Sequence, residues 1–267
     1  MIRDNRVALK RYGQNFLIDA NILGIIISSS DLCGSDCVLE IGAGKGILTR
    51  ALLESGVKFL HSIEIDERFR PELEEIARER NNFAIHWSDA MKFDYESLTP
   101  FSNKIAANIP YNITTPLIWN LLKFANLGLT HHVYMVQREA AERLTAKPDT
   151  KARYPLGVAL EAMGNVKIVK QVSRKCFRPV PDVESCIIEI NLERNISLAS
   201  DELWREFLHR GFAHRRKFLL NNLDGFRNFS RGDFLRIFSD LELDVKIRAE
   251  DLDCESWLKL YGKIRAT

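Results

Sequence analysis

The tetrad Asn108-Ile109-Pro110-Tyr111 follows a short apolar run, KIAA, and sets an amide, a ring of fixed φ and an aromatic face in a row. An amide carbonyl beside a backbone carbonyl that Pro110 holds still can accept both hydrogens of an exocyclic amine. Tyr111 adds a face on which a flat heterocycle can stack. Taken alone, the tetrad reads better as a Pro-stiffened strand exit with a buried tyrosine.

A second stretch, VLEIGAGKGILT, places Gly42, Gly44 and Gly46 between an apolar run and a helical pattern. Glycine supplies positive φ and lets backbone approach a ligand at the carboxyl end of a strand. The GxGxG spacing is neither the dinucleotide fingerprint nor a phosphate loop, despite Lys45. About twenty residues on, Glu64 ends the next strand, where a carboxylate can accept from ribose hydroxyls. Asp89 in SDAM ends a third and can accept from an adenine amino group. Together they describe a pocket for an adenosine without phosphates. S-adenosylmethionine fits it better than NAD, whose pyrophosphate needs a free helix N-terminus. With a methyl donor there, Asn108 lies where an acceptor must arrive. An adenine N6 lone pair is delocalised into its ring, and two carbonyl acceptors would draw it toward the methyl. A flipped-out base could stack on Tyr111.

These residues need a sheet to bring them to one edge. The apolar runs at 37–41, 59–65, 83–88, 104–108 and 132–137 alternate with helical patterns at 47–55 and 67–80, the signature of a mostly parallel sheet covered by helices. Pro71 falls early enough in the second helix to sit in its first turn. Residues 165–173 and 184–192 read as a closing antiparallel pair flanking FRPVPDV. After about Glu193 strand signals stop, and four amphipathic stretches from Ser200 onward predict a small all-helical domain.

Composition narrows the class. The 267 residues, 46 % apolar and 28 % charged, suit one large soluble domain and a small one. No run approaches the ~20 apolar residues of a membrane span, and the start MIRDNRVALKRYG lacks a signal-peptide core, which points to a cytosolic protein. The five cysteines lack zinc-site spacing and suit a reducing compartment. A net charge of +2 announces no nucleic acid, but the basic residues cluster. Lys170, Arg174 and Lys175 lie in KIVKQVSRKCFR, which has no acid, and Arg215, Arg216 and Lys217 lie beside Arg205, His209, Arg210 and His214. Either run could be a solvated face.

The set KRYGQNFL (10–17), IGAGKGILT, IEID, SDAM, NIPYNITTPL, MVQREAAERL, FRPVPDVES and FAHRRKFLLNNL closely resembles the KsgA-type small-subunit ribosomal RNA adenine dimethyltransferases, and NIPY resembles the [DNS]PP[YF] motif of amino-directed methyltransferases. The resemblance spans residues 10 to about 225. It implies an α/β, Rossmann-like class I methyltransferase with a small C-terminal all-helical domain: residues 1–193 bind S-adenosylmethionine behind an N-terminal arm (1–18), and residues 194–267 bind RNA. It implies that Asn15 and Leu17 close over the donor, that Gly42 contacts its methionine part with Gly44 alongside, that Glu64 holds its ribose and that Asp89 and Ala90 hold its adenine. Asn108 and Pro110 then stand at the transfer point, and Phe177 is the second aromatic sandwiching the base with Tyr111. The expected substrate is a pair of adjacent adenines in the 3′-terminal hairpin loop of 16S-type RNA, met by a monomer within a pre-30S-type particle. The chain departs at Asp182, where the family has lysine, and at ARYPLGVAL (152–160), which lacks the family's YGxLS form. Two alternatives share the motifs: the macrolide-resistance dimethyltransferases of 23S RNA, and non-catalytic RNA-binding assembly factors.

Overall fold

The computed structural model describes residues 15–266, so most of the N-terminal arm, including the KRYGQ of KRYGQNFL, lies outside the described residues. In chain order the elements are β1 (Phe16–Leu17), α1 (Ala20–Ser29), β2 (Cys37–Ile41), α2 (Ile47–Glu54), β3 (Phe59–Glu64), α3 (Arg70–Glu79), β4 (Phe83–Trp87), β5 (Lys104–Asn108), α4 (Thr114–Leu122), β6 (His131–Gln137), α5 (Arg138–Leu144), α6 (Pro155–Met163), β7 (Gly164–Val172), β8 (Phe177–Arg178), β9 (Ser185–Leu192), α7 (Glu202–Gly211), α8 (Leu219–Leu223), α9 (Arg231–Asp240) and α10 (Cys254–Arg265). They form two compact units. One runs from the described start through Ala141 and adds Lys167–Asn191; the other comprises Glu142–Val166 and the chain from Leu192 on. The sequence reading drew a single boundary near residue 193, whereas the second unit also takes residues 142–166.

In the first unit the strand order is β4-β3-β2-β5-β6-β9-β7. Strands β4, β3, β2, β5 and β6 run parallel, and β9 lies antiparallel to β6. Every residue of β2 is buried, the pattern of a strand covered on both faces. The chain leaves β2 for β3 and β4 on one side, then returns to β5 on the other. Their carboxyl ends therefore open a crevice at the switch in strand order, the standard ligand position of such sheets. Gly46 turns β2 into α2 with φ +76°, a conformation strained for any other residue, and a Cβ there would lie 2.6 Å from the Ile76 side chain of α3, which would have to shift. Pro71 occupies the first turn of α3, as its position predicts. A short ladder apart from this sheet pairs β1 with β8, Phe16 opposite Arg178 and Leu17 opposite Phe177.

The second unit packs α6–α10 around aromatic side chains. Phe207 meets the Trp257 ring edge-on at 5.4 Å and Phe212 stacks on it at 5.6 Å. Asp201 caps α7, Ser230 and Asp233 close a capping box on α9, and Asp253 caps α10. In the divergent 152–160 segment, Arg153 is fully buried and binds Glu161 and the Ala146 carbonyl, each at 2.9 Å.

Candidate functional site

A cavity of about 350 Å³ lies at the carboxyl ends of β2, β3 and β5. The residues expected on the donor side, Asn15, Leu17, Gly42, Gly44, Glu64, Asp89 and Ala90, all line it. So do Asn108, Pro110 and Tyr111 from the other direction. Phe177 does not.

The glycine turn and Glu64 form one unit. Gly42 has φ +78° and Gly44 φ +53°, and a Cβ on Gly42 would stand 3.6 Å from the Asn108 carbonyl oxygen. Bare backbone thus forms the wall where β2 and β5 part. The Glu64 carboxylate accepts the Gly44 N–H through Oε2 and the Asp66 N–H through Oε1, both at 2.8 Å. A carboxylate has about four acceptor directions, so these two bonds do not exhaust it. Burial raises the Glu64 pKa above its ordinary value, and the backbone N–H groups of Gly44, Asp66 and Ile65 oppose that shift. A buried carboxylate with acceptor capacity to spare beside bare glycine backbone fits an adenosine-containing donor, which needs acceptors for its hydroxyls and no phosphate cradle.

Glu40, two residues before Gly42, is a second buried acid. Its Oε2 accepts from Ser62 at 2.5 Å and Thr49 at 2.7 Å, while Oε1 has no partner among the described residues. Burial pushes its carboxyl up from 4.5 to about 7, and the neighbouring Glu64 charge adds to the rise. The folded chain therefore holds a proton that the unfolded chain has lost between those values, and stability falls as pH rises from about 4.5 through 7. Glutamine keeps an acceptor for both hydroxyls and cannot ionise. Glu40→Gln should thus gain on the native chain by roughly 2–3 kcal/mol between pH 5 and pH 8. Denaturant unfolding at the two pH values measures this, and a constant difference would show that Glu40 titrates alike in the folded and unfolded chains.

Asp89 shapes the third wall. Its Oδ1 accepts the Met91 N–H at 2.9 Å, which leaves Oδ2 as an acceptor for an amino group. The Tyr95 hydroxyl donates to the Ala90 carbonyl at 2.8 Å, fixing the turn from behind. Over the opposite side lies the strap of residues 15–17. The Phe16 ring would be 3.3 Å from a Cβ on Gly44, meets Phe69 edge-on at 5.6 Å and carries the Lys45 ammonium 5.2 Å from its centroid. Asn108 ties the strap to β5 by donating Nδ2–H to the Asn15 carbonyl at 3.2 Å. That bond orients the amide and, among the described residues, leaves Oδ1 as an available acceptor.

Beyond Asn108, the Ile109 N–H donates to the Met135 carbonyl, and the Pro110 carbonyl accepts from Ile113. The Tyr111 hydroxyl lies 2.6 Å from the Ser185 hydroxyl. The structure departs from expectation at Phe177. Its side chain is 0 % exposed and belongs to the hydrophobic core with Leu17, Ile26, Val172 and Ile187. Pairing with Leu17 in the β1–β8 ladder turns it inward, so it offers no open face opposite Tyr111.

Lys170, Arg174 and Lys175 are exposed on the first unit, as is Asp182 in the loop before β9. In the second unit Arg215, Arg216 and Lys217 are exposed, and Arg215 donates to the Lys151 carbonyl. The sequence reading passed over Ser185, Glu40, Phe16 and Tyr95. An acid inside the apolar run VLEI marked only Glu40; a serine opening a strand and a tyrosine after a turn mark nothing.

The family described as "Ribosomal RNA adenine dimethylase" matches residues 6–265. Among curated proteins, the chain is 37 % identical over 259 residues to a "Ribosomal RNA small subunit methyltransferase A" of Clostridium botulinum, covering 94 % of this chain and 92 % of that one. It is 38 % identical to the protein so named in Rubrobacter xylanophilus, covering 96 % and 94 % of the two chains. Among solved structures, a dimethyladenosine transferase from Plasmodium falciparum superposes with a TM-score of 0.82 at 28 % identity, over 94 % of this chain and 98 % of that one. The 23S rRNA methyltransferase ErmE superposes with a TM-score of 0.70 at 22 % identity over 94 % of this chain and all of that one, a likeness of fold. From residue 6 to residue 265, through cavity, strap and helical unit alike, the chain belongs to the ribosomal RNA adenine dimethylase family.

Proposed function

We propose that the chain uses S-adenosylmethionine to place two methyl groups on N6 of each of two adjacent adenines in the 3′-terminal hairpin loop of small-subunit ribosomal RNA, during assembly of that subunit. The observation that carries this reading is Asn108. Its amide nitrogen is bound by the strap, and its free carbonyl stands on the wall that β5 shares with the glycine turn of β2.

When bound, the donor supplies a methyl group activated on a sulfonium centre. Glu64 holds the ribose hydroxyls, Asp89 accepts from the adenine amino group, and Asn15 and Leu17 cover the site. The target base lies against Tyr111. Asn108 Oδ1 accepts one N6 hydrogen; the Pro110 carbonyl is already engaged by Ile113, so the second hydrogen is assigned to the Ile109 carbonyl. These acceptors localise the nitrogen lone pair, and positioning then supplies most of the rate without a strong general base. A monomethylated amine keeps one hydrogen for the same acceptors, which permits the second transfer. Lys170, Arg174 and Lys175, together with Arg215, Arg216 and Lys217 on the helical unit, are assigned to RNA phosphates. Among the described residues no helix is long and apolar enough to cross a membrane, and we place this monomer in the cytoplasm with its pre-30S-type substrate.

Glu64→Ala removes both the ribose acceptor and the brace on Gly44. Donor binding should weaken by about 1.5–3 kcal/mol, the range for hydrogen bonds to a charged group. Calorimetric titration with S-adenosylmethionine reads it directly, and unchanged affinity would take Glu64 out of the pocket. The function itself is tested by incubating the protein with labelled donor and each ribosomal subunit, then digesting and weighing the labelled nucleotides. Dimethyladenine at two neighbouring positions of small-subunit RNA is expected, more readily in an immature particle than in bare RNA. Label confined to large-subunit RNA would replace this reading with the 23S one, and donor binding with no transfer to either subunit would favour a non-catalytic assembly factor.

A further inference from the structure

Tyr111 begins a short turn, Tyr111–Ile113, and lines the cavity. The hydroxyl is fixed from elsewhere. Ser185 opens β9, is 0 % exposed and faces Gln137 across the β6–β9 ladder, so its place is set by the sheet. Its hydroxyl lies 2.6 Å from the Tyr111 oxygen, a short, well-formed bond. The preceding residue anchors a different segment: Glu184 Oε2 accepts the Arg174 N–H at 2.8 Å, and the Glu184 carbonyl accepts the Arg138 N–H at 3.0 Å. Two consecutive residues thus hold the tyrosine ring and the turn that bears Arg174 and Lys175. Burial raises the Tyr111 phenol above its ordinary value, so the hydroxyl stays protonated and the bond persists across the neutral range.

We infer that Ser185 is a positioning residue for base capture: it fixes the Tyr111 ring in the plane against which the target adenine stacks, in register with the basic turn held by Glu184. The inference rests on the assignment of Tyr111 to the target base made above. It also accounts for how one tyrosine serves as a platform while Phe177 stays in the core. A ring stacked on one side only must be held by its edge, and its hydroxyl is the edge available.

Tyr111→Phe keeps the ring and loses the bond, and Ser185→Ala loses the bond from the other partner. In single-turnover methylation of small-subunit particles each should slow transfer by about fivefold, the worth of one hydrogen bond. The double variant should be no slower than the slower single, since both remove the same contact. Donor affinity should match that of the native chain in all three. RNA carrying 2-aminopurine at the target adenine should show less fluorescence quenching with Ser185→Ala than with the native protein, a readout that general destabilisation of a still-folded enzyme would not produce. Losses that multiply in the double variant, a native rate for Tyr111→Phe, or unaltered quenching with Ser185→Ala would each overturn the assignment. Failure of the native protein to methylate small-subunit RNA would instead overturn the functional reading, and this inference with it.

Discussion

Asn108→Ala is expected to cut methyl transfer by on the order of 10²–10³-fold, the loss seen when one preorganised polar group is removed from a reacting centre. The amide has two tasks on opposite sides. Its Nδ2 donates to the Asn15 carbonyl at 3.2 Å, and its Oδ1 is the atom assigned above to the incoming amine. Alanine abolishes both. Asn108→Asp separates them: a carboxylate still accepts from the amine, but it repels the Asn15 carbonyl and should loosen the strap. The aspartate variant should therefore retain more turnover than alanine at saturating donor while binding the donor less well. Single-turnover rates together with donor titrations measure the two effects. If both variants lose rate and donor affinity in proportion, Asn108 only braces the strap.

Phe177→Ala is expected to destabilise the first unit by about 3–5 kcal/mol, the cost of emptying a phenylalanine site in a packed core. The side chain is 0 % exposed and shares a core with Leu17, Ile26 and Val172, so truncation leaves a void that the sheet cannot readily close. Thermal unfolding should drop by roughly 10 °C for a chain of this size. The family resemblance leads to a different outcome: a base-stacking face at the mouth would cost ~1–3 kcal/mol of RNA binding with stability intact. Unfolding and RNA titration of the same variant decide between them. An unchanged melting temperature with weakened RNA binding would mean that Phe177 leaves the core to reach its base.

Phe177 also shows what the sequence could convey. Motif resemblance transmits residue type and order, but the depth of a side chain depends on what lies over it, here a two-residue strand too short to have a period. The strands β2 to β6 were legible because their apolar runs are continuous and bounded by turn residues, and with them the edge that brings Gly42, Glu64, Asp89 and Asn108 along one cavity. The helices after Ser200 were legible from their apolar spacing. The place of residues 142–166 was not: a composition shift is read along the chain, whereas α6 packs with elements that begin more than thirty residues after it ends. Ser185 was illegible for a similar reason, since its one distinctive contact reaches back 74 positions to Tyr111.

The β1–β8 ladder sets a rule for the timing of events at this site. Dimethylation consumes two donor molecules per base, so spent donor must leave and fresh donor enter between the first transfer and the second. Residues 16 and 17, part of the strap assigned above to the donor, pair with residues 177 and 178, which directly follow the turn bearing Arg174 and Lys175. On the proposed assignment the donor's cover and the RNA-facing turn share a seam. A shift of the RNA-facing segment must carry the cover with it or break the ladder, and a cover that swings open must pull on the RNA side. If the strap and the basic turn serve as assigned above, donor exchange and the hold on the RNA are coupled through these four paired residues.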